Sequence, residues 1–224
     1  MANHLDLEEQ EQLDQIKHFW AQYGNLITWT LIAIFGALAA YNGWNYWQRS
    51  QAAKASALYE ELQRATQAND PAKIQRAFND MKDGFGSTTY AAQGALLAGK
   101  ALYDAKKPEE AREVLTWAVE KSGDPAYQGL ARLRLAGLEL DAKAYDKALK
   151  LLDTGMPKPF EALAQDRKAD VLLAQGKREE AKALYQSAWK AMPERVEYRN
   201  LIEVKLASLG VDVSTLAGAT EKTP

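Results

Sequence analysis

The stretch KREEAKALYQSAWKAMP, residues 177–193, decides the fold. Ala181 is followed by Tyr185, Ala188 and Pro193, at +4, +7 and +12. The first three share one face of an α-helix, and Pro193 stops it. Glu179 and Glu180 occupy the first turn, where the helix dipole favours negative charge. The same form stands twice upstream, as Lys107-Pro-Glu-Glu-Ala111 and Ala144-Tyr-Asp-Lys-Ala148. The closing alanines are 37 and 33 residues apart. After Ala111, Leu115 and Ala118 repeat the +4 and +7 positions. Twelve positions before each closing alanine stands Gly99, Ala136 or Ala169. Small residues at both places let two helices of a hairpin pack closely. The bulkier +4 residue is expected to fill the gap to the next hairpin.

A period of about 34 residues with this A-x3-F…P form is similar to the tetratricopeptide pattern. The units divide as 92–125, 129–161 and 162–195, with a weaker pair of helices at 50–68 and 71–83. Val196–Leu209 reads as a capping helix, with Tyr198, Ile202, Leu206 and Leu209 on its apolar side. Single units cannot bury their own faces, so several must stack. Asp70-Pro71, Lys107-Pro108, Asp124-Pro125, Lys158-Pro159 and Met192-Pro193 read as helix starts, because proline suits the first turn. Runs alternating with a period of two are absent. The fold class is therefore all-α: a tetratricopeptide-like α-solenoid over 48–209. Periodicity fades after Gly210, and 210–224 is expected to be a disordered tail.

A different pattern rules the N-terminal part. No Lys, Arg, Asp or Glu lies between Lys17 and Arg49. Leu26–Ala40 reads LITWTLIAIFGALAA, and Tyr23–Trp47 supplies the roughly 20 residues needed to cross a bilayer. Trp20, Tyr23, Tyr41, Trp44, Tyr46 and Trp47 crowd the two ends, as interfacial aromatics do. Ala37-Leu38-Ala39 has the form of a signal-peptide cleavage site, but the preceding segment is acidic and the apolar run long. A retained single transmembrane helix over 23–47 is the expectation. Residues 1–22 hold five acids and one lysine, with Leu13, Ile16, Trp20 and Tyr23 on one helical face. They read as an acidic amphipathic segment on the membrane surface. No Gly or Pro interrupts Asn45–Asn69, so the membrane helix is expected to run into the first helix of the array. Lys and Arg counts lean towards a cytoplasmic C-terminal domain, yet long domains cross regardless of charge. Orientation stays open on these grounds.

Composition narrows the chemistry. The 224 residues carry 28 Lys+Arg and 30 Asp+Glu, a formal net charge of −2. That balance gives no electrostatic reason to expect nucleic acid. Cysteine is absent and the two histidines are His4 and His18. Residues 48–224 therefore offer no thiolate, no imidazole base and no usual zinc ligand set. Gly84-Phe85-Gly86-Ser87 lacks the lysine of a phosphate loop and reads as a connection between helices. No catalytic, metal or cofactor site is expected.

An α-solenoid offers a concave face built from the first helix of each pair. By repeat position, Gln93, Leu96, Lys100 and Tyr103 should line it, then Leu130, Leu133 and Leu140, then Leu163, Asp166, Asp170 and Leu173. The mixture suits an extended peptide or a partner helix. A second candidate surface is the small face of the span, Ala33, Gly36, Ala37, Ala40 and Gly43. It allows close approach of another membrane helix.

The chain as a whole resembles the YfgM-like family of ancillary translocon subunits. The likeness is carried by Glu8-Glu9-Gln10 leading to Phe19-Trp20-Ala21-Gln22-Tyr23-Gly24, and by the single span. Tyr90-Ala91-Ala92, Gly129-Leu-Ala-Arg-Leu-Arg-Leu-Ala136 and Ala169-Asp-Val-Leu-Leu-Ala-Gln-Gly-Lys177 carry it further. It covers about residues 8–209 in order and spacing. The resemblance implies a bacterial inner-membrane protein with a cytoplasmic N-terminus and a periplasmic repeat domain. It implies two partners, the Sec translocon and a membrane-anchored periplasmic chaperone, and a non-enzymatic role linking newly exported proteins to chaperones. The same architecture would serve an envelope-assembly scaffold unrelated to Sec.

Overall fold

The computed structural model describes residues 7–217. The expectations for residues 1–6 and 218–224 lie outside the described residues. The chain divides between Gln51 and Ala52 into two units. Among the described residues there are only helices: α1 Leu7–Gln67, α2 Pro71–Phe85, α3 Thr89–Asp104, α4 Pro108–Lys121, α5 Pro125–Asp141, α6 Tyr145–Asp153, α7 Glu161–Ala174, α8 Arg178–Ala191, α9 Tyr198–Ser208, α10 Val213–Ala217 and a 3-10 turn, Lys158–Phe160.

The first unit is the N-terminal part of α1. Among the described residues this is the one helix long and apolar enough to cross a membrane. Leu26, Trp29 and Phe35 are each about two-thirds exposed, which excludes the core helix of a soluble domain. Three of its polar side chains bond back to their own helix: Thr28 Oγ1 donates to the Gly24 carbonyl at 2.7 Å, Thr30 Oγ1 to Leu26 at 2.8 Å and Asn42 Nδ2 to Leu38 at 2.9 Å. A segment in hydrocarbon needs that internal satisfaction. As expected, α1 runs without a break from the span to Gln67.

The second unit stacks helix pairs: the end of α1 with α2, then α3/α4, α5/α6 and α7/α8, closed by α9. The repeat register holds throughout. Ala111, Ala148 and Ala181 are wholly buried, as are Ala136 and Ala169. Leu115, Leu152 and Tyr185, the +4 residues, are buried as well. Each such Leu taken from water contributes about 1.5–3 kcal/mol. In the α3/α4 hairpin the +4 residue, Leu115, packs against its own partner helix, however. A Cβ at Gly99 would come within 2.7 Å of Leu115 Cγ and Cδ2, so glycine is what lets α4 approach α3.

Every hairpin turns in the same way. Asn69, Lys106, Lys143 and Gly176 have φ of 50°, 62°, 59° and 79°. Around each, the next N–H bonds back over the turn: Asp70 to Ala65 O at 3.2 Å, Lys107 to Leu102 O at 2.9 Å, Ala144 to Glu139 O at 2.8 Å and Lys177 to Leu172 O at 2.9 Å. This is the Schellman arrangement, which satisfies the orphan carbonyls of a helix end through one left-handed residue. The starts of α2, α3 and α5 carry side-chain caps, whereas those of α4, α6, α7, α8 and α9 do not. Asp70 Oδ1 accepts from Lys73 N at 3.1 Å and Asp124 Oδ1 from Ala126 N at 2.8 Å. The Lys73 bonds hold the Asp70 carboxyl below its ordinary range.

Three expectations need correction. Lys158-Pro159 opens a 3-10 turn, and α7 begins only at Glu161. Here Pro157 and Phe160 press on Gly129, where a Cβ would fall 2.8 Å from Pro157 Cδ. Met192-Pro193 opens no helix; Met192 is buried as an end-stop, and the cap begins at Tyr198. Beyond Gly210 the chain is not shapeless at once. Gly210 turns with φ of 79°, Val211 is buried, and Val213 and Leu216 of α10 pack on the last apolar cluster. Two valines and a leucine suffice there, because the end of the array leaves apolar surface to cover.

Candidate functional site

The concave face of the array carries a cavity of about 410 Å3 formed by α3, α5 and α7, with Leu115 of α4 beneath. Its lining mixes apolar Gly99, Leu115, Gly137 and Leu138 with polar groups: Lys100, Tyr103 and Asp104 from α3, Arg134 and Asp141 from α5, and Arg167 from α7. Helix periodicity puts these residues together: Arg134, Gly137, Leu138 and Asp141 recur at three and four positions along α5.

Polar groups on the walls are mutually bonded. Tyr103 Oη donates to Asp141 Oδ2 at 2.6 Å, which raises the phenol above its ordinary pKa. Lys100 Nζ donates to Asp104 Oδ2 at 2.5 Å. Arg134 differs. It is half-buried, Nη1 donates to the Leu96 carbonyl at 2.5 Å, and burial alone pushes its pKa down. A guanidinium stays charged nonetheless, so the shift marks a poorly solvated cation. Next to this cavity lies another of about 410 Å3, sharing Tyr103, Leu138 and Asp141 and reaching Lys106 and Arg112. There Arg112 Nε donates to buried Glu139 Oε1 at 2.7 Å, and a second nitrogen donates to Glu109. Those two carboxylates raise the Arg112 pKa, Glu109 first.

The structure sorts the sequence-based candidates into groups. Lys100 and Tyr103 face the cavity. Gln93 Nε2 donates to Tyr127 Oη at 2.7 Å and ties α3 to α5. Leu96 and Leu133 are buried, and Leu130, Leu140 and Leu163 pack half-buried against the cores. Leu173 is exposed. Asp166 and Asp170 do not line an open face. Asp166, 1% exposed, accepts from Lys205 Nζ at 2.8 and 2.9 Å and from Tyr198 Oη at 2.8 Å. Asp170 accepts from Lys205 Nζ at 2.7 Å and Tyr185 Oη at 2.6 Å. The capping helix α9 reaches over that end of the groove and uses both acids. Repeat position alone could not register this, because α9 belongs to no repeat.

Arg134 and Arg167 escaped the sequence reading, though a signal existed. Each sits fourteen residues before its closing alanine, Ala148 or Ala181, so the register places both on the same wall. On α1, the small face is open: a Cβ at Gly36 or Gly43 would meet nothing within 4 Å. Among the described residues no group of His, Cys, Asp and Glu is arranged to hold a metal.

An unbroken helix with one candidate membrane span, followed by stacked helix pairs, defines a tetratricopeptide-type protein. The tetratricopeptide repeat-like domain family matches residues 17–211, and the chain belongs to it. It is 33% identical to the ancillary SecYEG translocon subunit of Neisseria gonorrhoeae, over 93% of this chain and 100% of that one. The subunit of the same name from Escherichia coli is 28% identical, over 82% of this chain and 86% of that one. The one from Aggregatibacter actinomycetemcomitans is 30% identical, over 81% and 89%. These relatives bear out the resemblance to YfgM-like proteins.

Proposed function

We propose that this protein is a non-enzymatic subunit ancillary to the Sec translocon, anchored in a bacterial inner membrane by residues 23–47. Its N-terminal segment lies in the cytoplasm and its helical array in the periplasm. There the concave face holds extended segments of newly exported proteins and brings them to a membrane-anchored periplasmic chaperone. The observation that carries this reading is likeness along the whole length, span and array together, to a subunit named for that complex. The cavity among α3, α5 and α7, with its mixed apolar and polar lining, supports the peptide-holding part. Native purification from membranes solubilised in mild detergent tests it: translocon subunits and a membrane-anchored chaperone should accompany the tagged full-length chain. Capture of neither partner would leave a general envelope scaffold as the better account. Protease added to spheroplasts should digest the array from outside; protection until lysis would reverse the topology.

A further inference from the structure

A further cavity, of about 370 Å3, lies where α4 and α6 flank α5. It shares no lining residue with the cavity among α3, α5 and α7. Its lining includes Leu135 and Leu151, with Arg132 from α5 and Lys147 and Lys150 from α6. Arg132 is partly buried, and its Nε is shut off from solvent without a hydrogen-bond partner. Among the described residues no acceptor meets its other nitrogens either. A guanidinium carries five N–H donors, and desolvating them without an acceptor is costly. Lys147 and Lys150, one turn apart on α6, are exposed and make no ion pair among the described residues. The acids nearby are engaged or stand aside. Glu139, the one acid lining the cavity, accepts from Arg112 Nε at 2.7 Å. Arg112 also holds Glu109, whose carboxyl is lowered first by that arginine and then by Lys147. Asp153 pairs with Lys168. Glu113 and Glu120 of α4 and Asp146 of α6 do not line the cavity. Arg132, Lys147, Lys150 and Arg112 thus face only Glu109 and Glu139.

We propose that this cavity takes the phosphate of an anionic phospholipid headgroup from the bilayer in which the chain is anchored. Arg132 donates to the phosphate oxygens from α5, and Lys147 and Lys150 approach them from α6. Arginine meets phosphate through parallel N–H bonds, and lysine adds point charge. Leu135 and Leu151 offer apolar contact to the glycerol. A lipid is favoured over a free anion or an acidic protein because span and array belong to one chain. That tether keeps headgroups at high effective concentration, and an anionic lipid surface attracts each further cation. The inference rests on the anchored reading of residues 23–47.

Hydrogen exchange of the full-length protein in nanodiscs tests it. One set holds phosphatidylcholine alone; in the other, phosphatidylglycerol replaces part of it. Amides of α6 should exchange about tenfold more slowly with the anionic lipid, as ligand linkage requires. Raised salt should narrow the difference. Amides of α8, which lines none of this cavity, serve as the reference. Arg132→Gln should abolish the slowing, with circular dichroism in phosphatidylcholine as the check on folding. Lys147→Gln with Lys150→Gln alters only exposed side chains and should abolish it as well. Equal exchange in the two lipids overturns the proposal, as does slowing that survives both variants. Inorganic phosphate or blocked polyglutamate, added to the phosphatidylcholine nanodiscs at matched charge, should change nothing. Slowing by phosphate would overturn the lipid source; slowing by polyglutamate would assign the cavity to an acidic protein and overturn it too. A chain that fails to enter the nanodisc would sink the anchored reading as well. Insertion without a lipid effect would sink the headgroup site alone.

Discussion

The α5/α6 and α7/α8 hairpins share one register but use it to opposite ends. Position for position, Leu133 corresponds to Asp166, Gly137 to Asp170 and Arg134 to Arg167. In α5 the inward position is an apolar Leu133, and Gly137 leaves room beside Arg167. In α7 the same two positions carry acids, and Lys205, Tyr198 and Tyr185 converge on them. One hairpin keeps its concave face available; the next locks a helix onto it. A repeat scaffold thus fixes where side chains stand, while single substitutions decide whether a place stays open or is covered by the chain itself.

The sharpest way to break that contrast is Lys205→Met. It strips the ammonium from Asp166, and breaking one side of a buried pair costs about 3–5 kcal/mol. Urea unfolding of the fragment starting at Ala52, which retains all three apolar clusters, should register the loss. Amides of α9 should lose hydrogen-exchange protection first. Steric changes come next. Ala181→Leu should overpack α8 against α7 by about 1–3 kcal/mol, since Ala181 is wholly buried. Gly99→Ala should also destabilise, because of the 2.7 Å approach to Leu115. The equivalent Ala136→Gly should cost about 0.5–1 kcal/mol of helix propensity and about 0.8 kcal/mol more for the lost buried methyl. An unchanged melting temperature for Ala181→Leu would refute the assigned register.

Alkali should separate the hairpins more gently. Burial and the neighbouring carboxylates raise the pKa of both Tyr185 and Tyr198. Their protons are held more tightly in the folded state, so that stabilisation is complete below the unfolded tyrosine pKa. It is lost as pH rises beyond about 10, where unfolded tyrosine ionises. Phenolate absorbance of these two residues should therefore appear together with unfolding; titration in a still-folded fragment would contradict the buried contacts. The smallest effect belongs to Gly36→Leu with Ala40→Leu. Neither site is crowded within the chain: a Cβ at Gly36 would have open space around it, and Ala40 is exposed. The melting temperature of the full-length protein in detergent should not change.

Much of this was legible in the residues. Ala111, Ala148 and Ala181 announced the repeat because close helix packing tolerates little else there, and the uncharged stretch before Arg49 announced the span. The groove was legible only in part. Lys100 and Tyr103 followed from repeat position, but Asp166 was read as open when α9 covers it. Periodicity reports which face a residue occupies; it does not report which non-repeating element later lands on that face. The 3-10 turn at Lys158 escaped for a similar reason: proline suits a helix start, but Phe160 is drawn onto Gly129 first.

The left-handed turn at the end of each first helix has a consequence for length. Asn69, Lys106, Lys143, Gly176 and Gly210 form one recurring joint, and the last of them ends α9. Units joined this way can be gained or lost whole, with the chain re-entering the same backbone geometry on either side. Array length is then a count rather than a continuum. Asp166 marks where the count stops, since an acid at that buried position calls for a lysine from a terminating helix, whereas a leucine there accepts another pair.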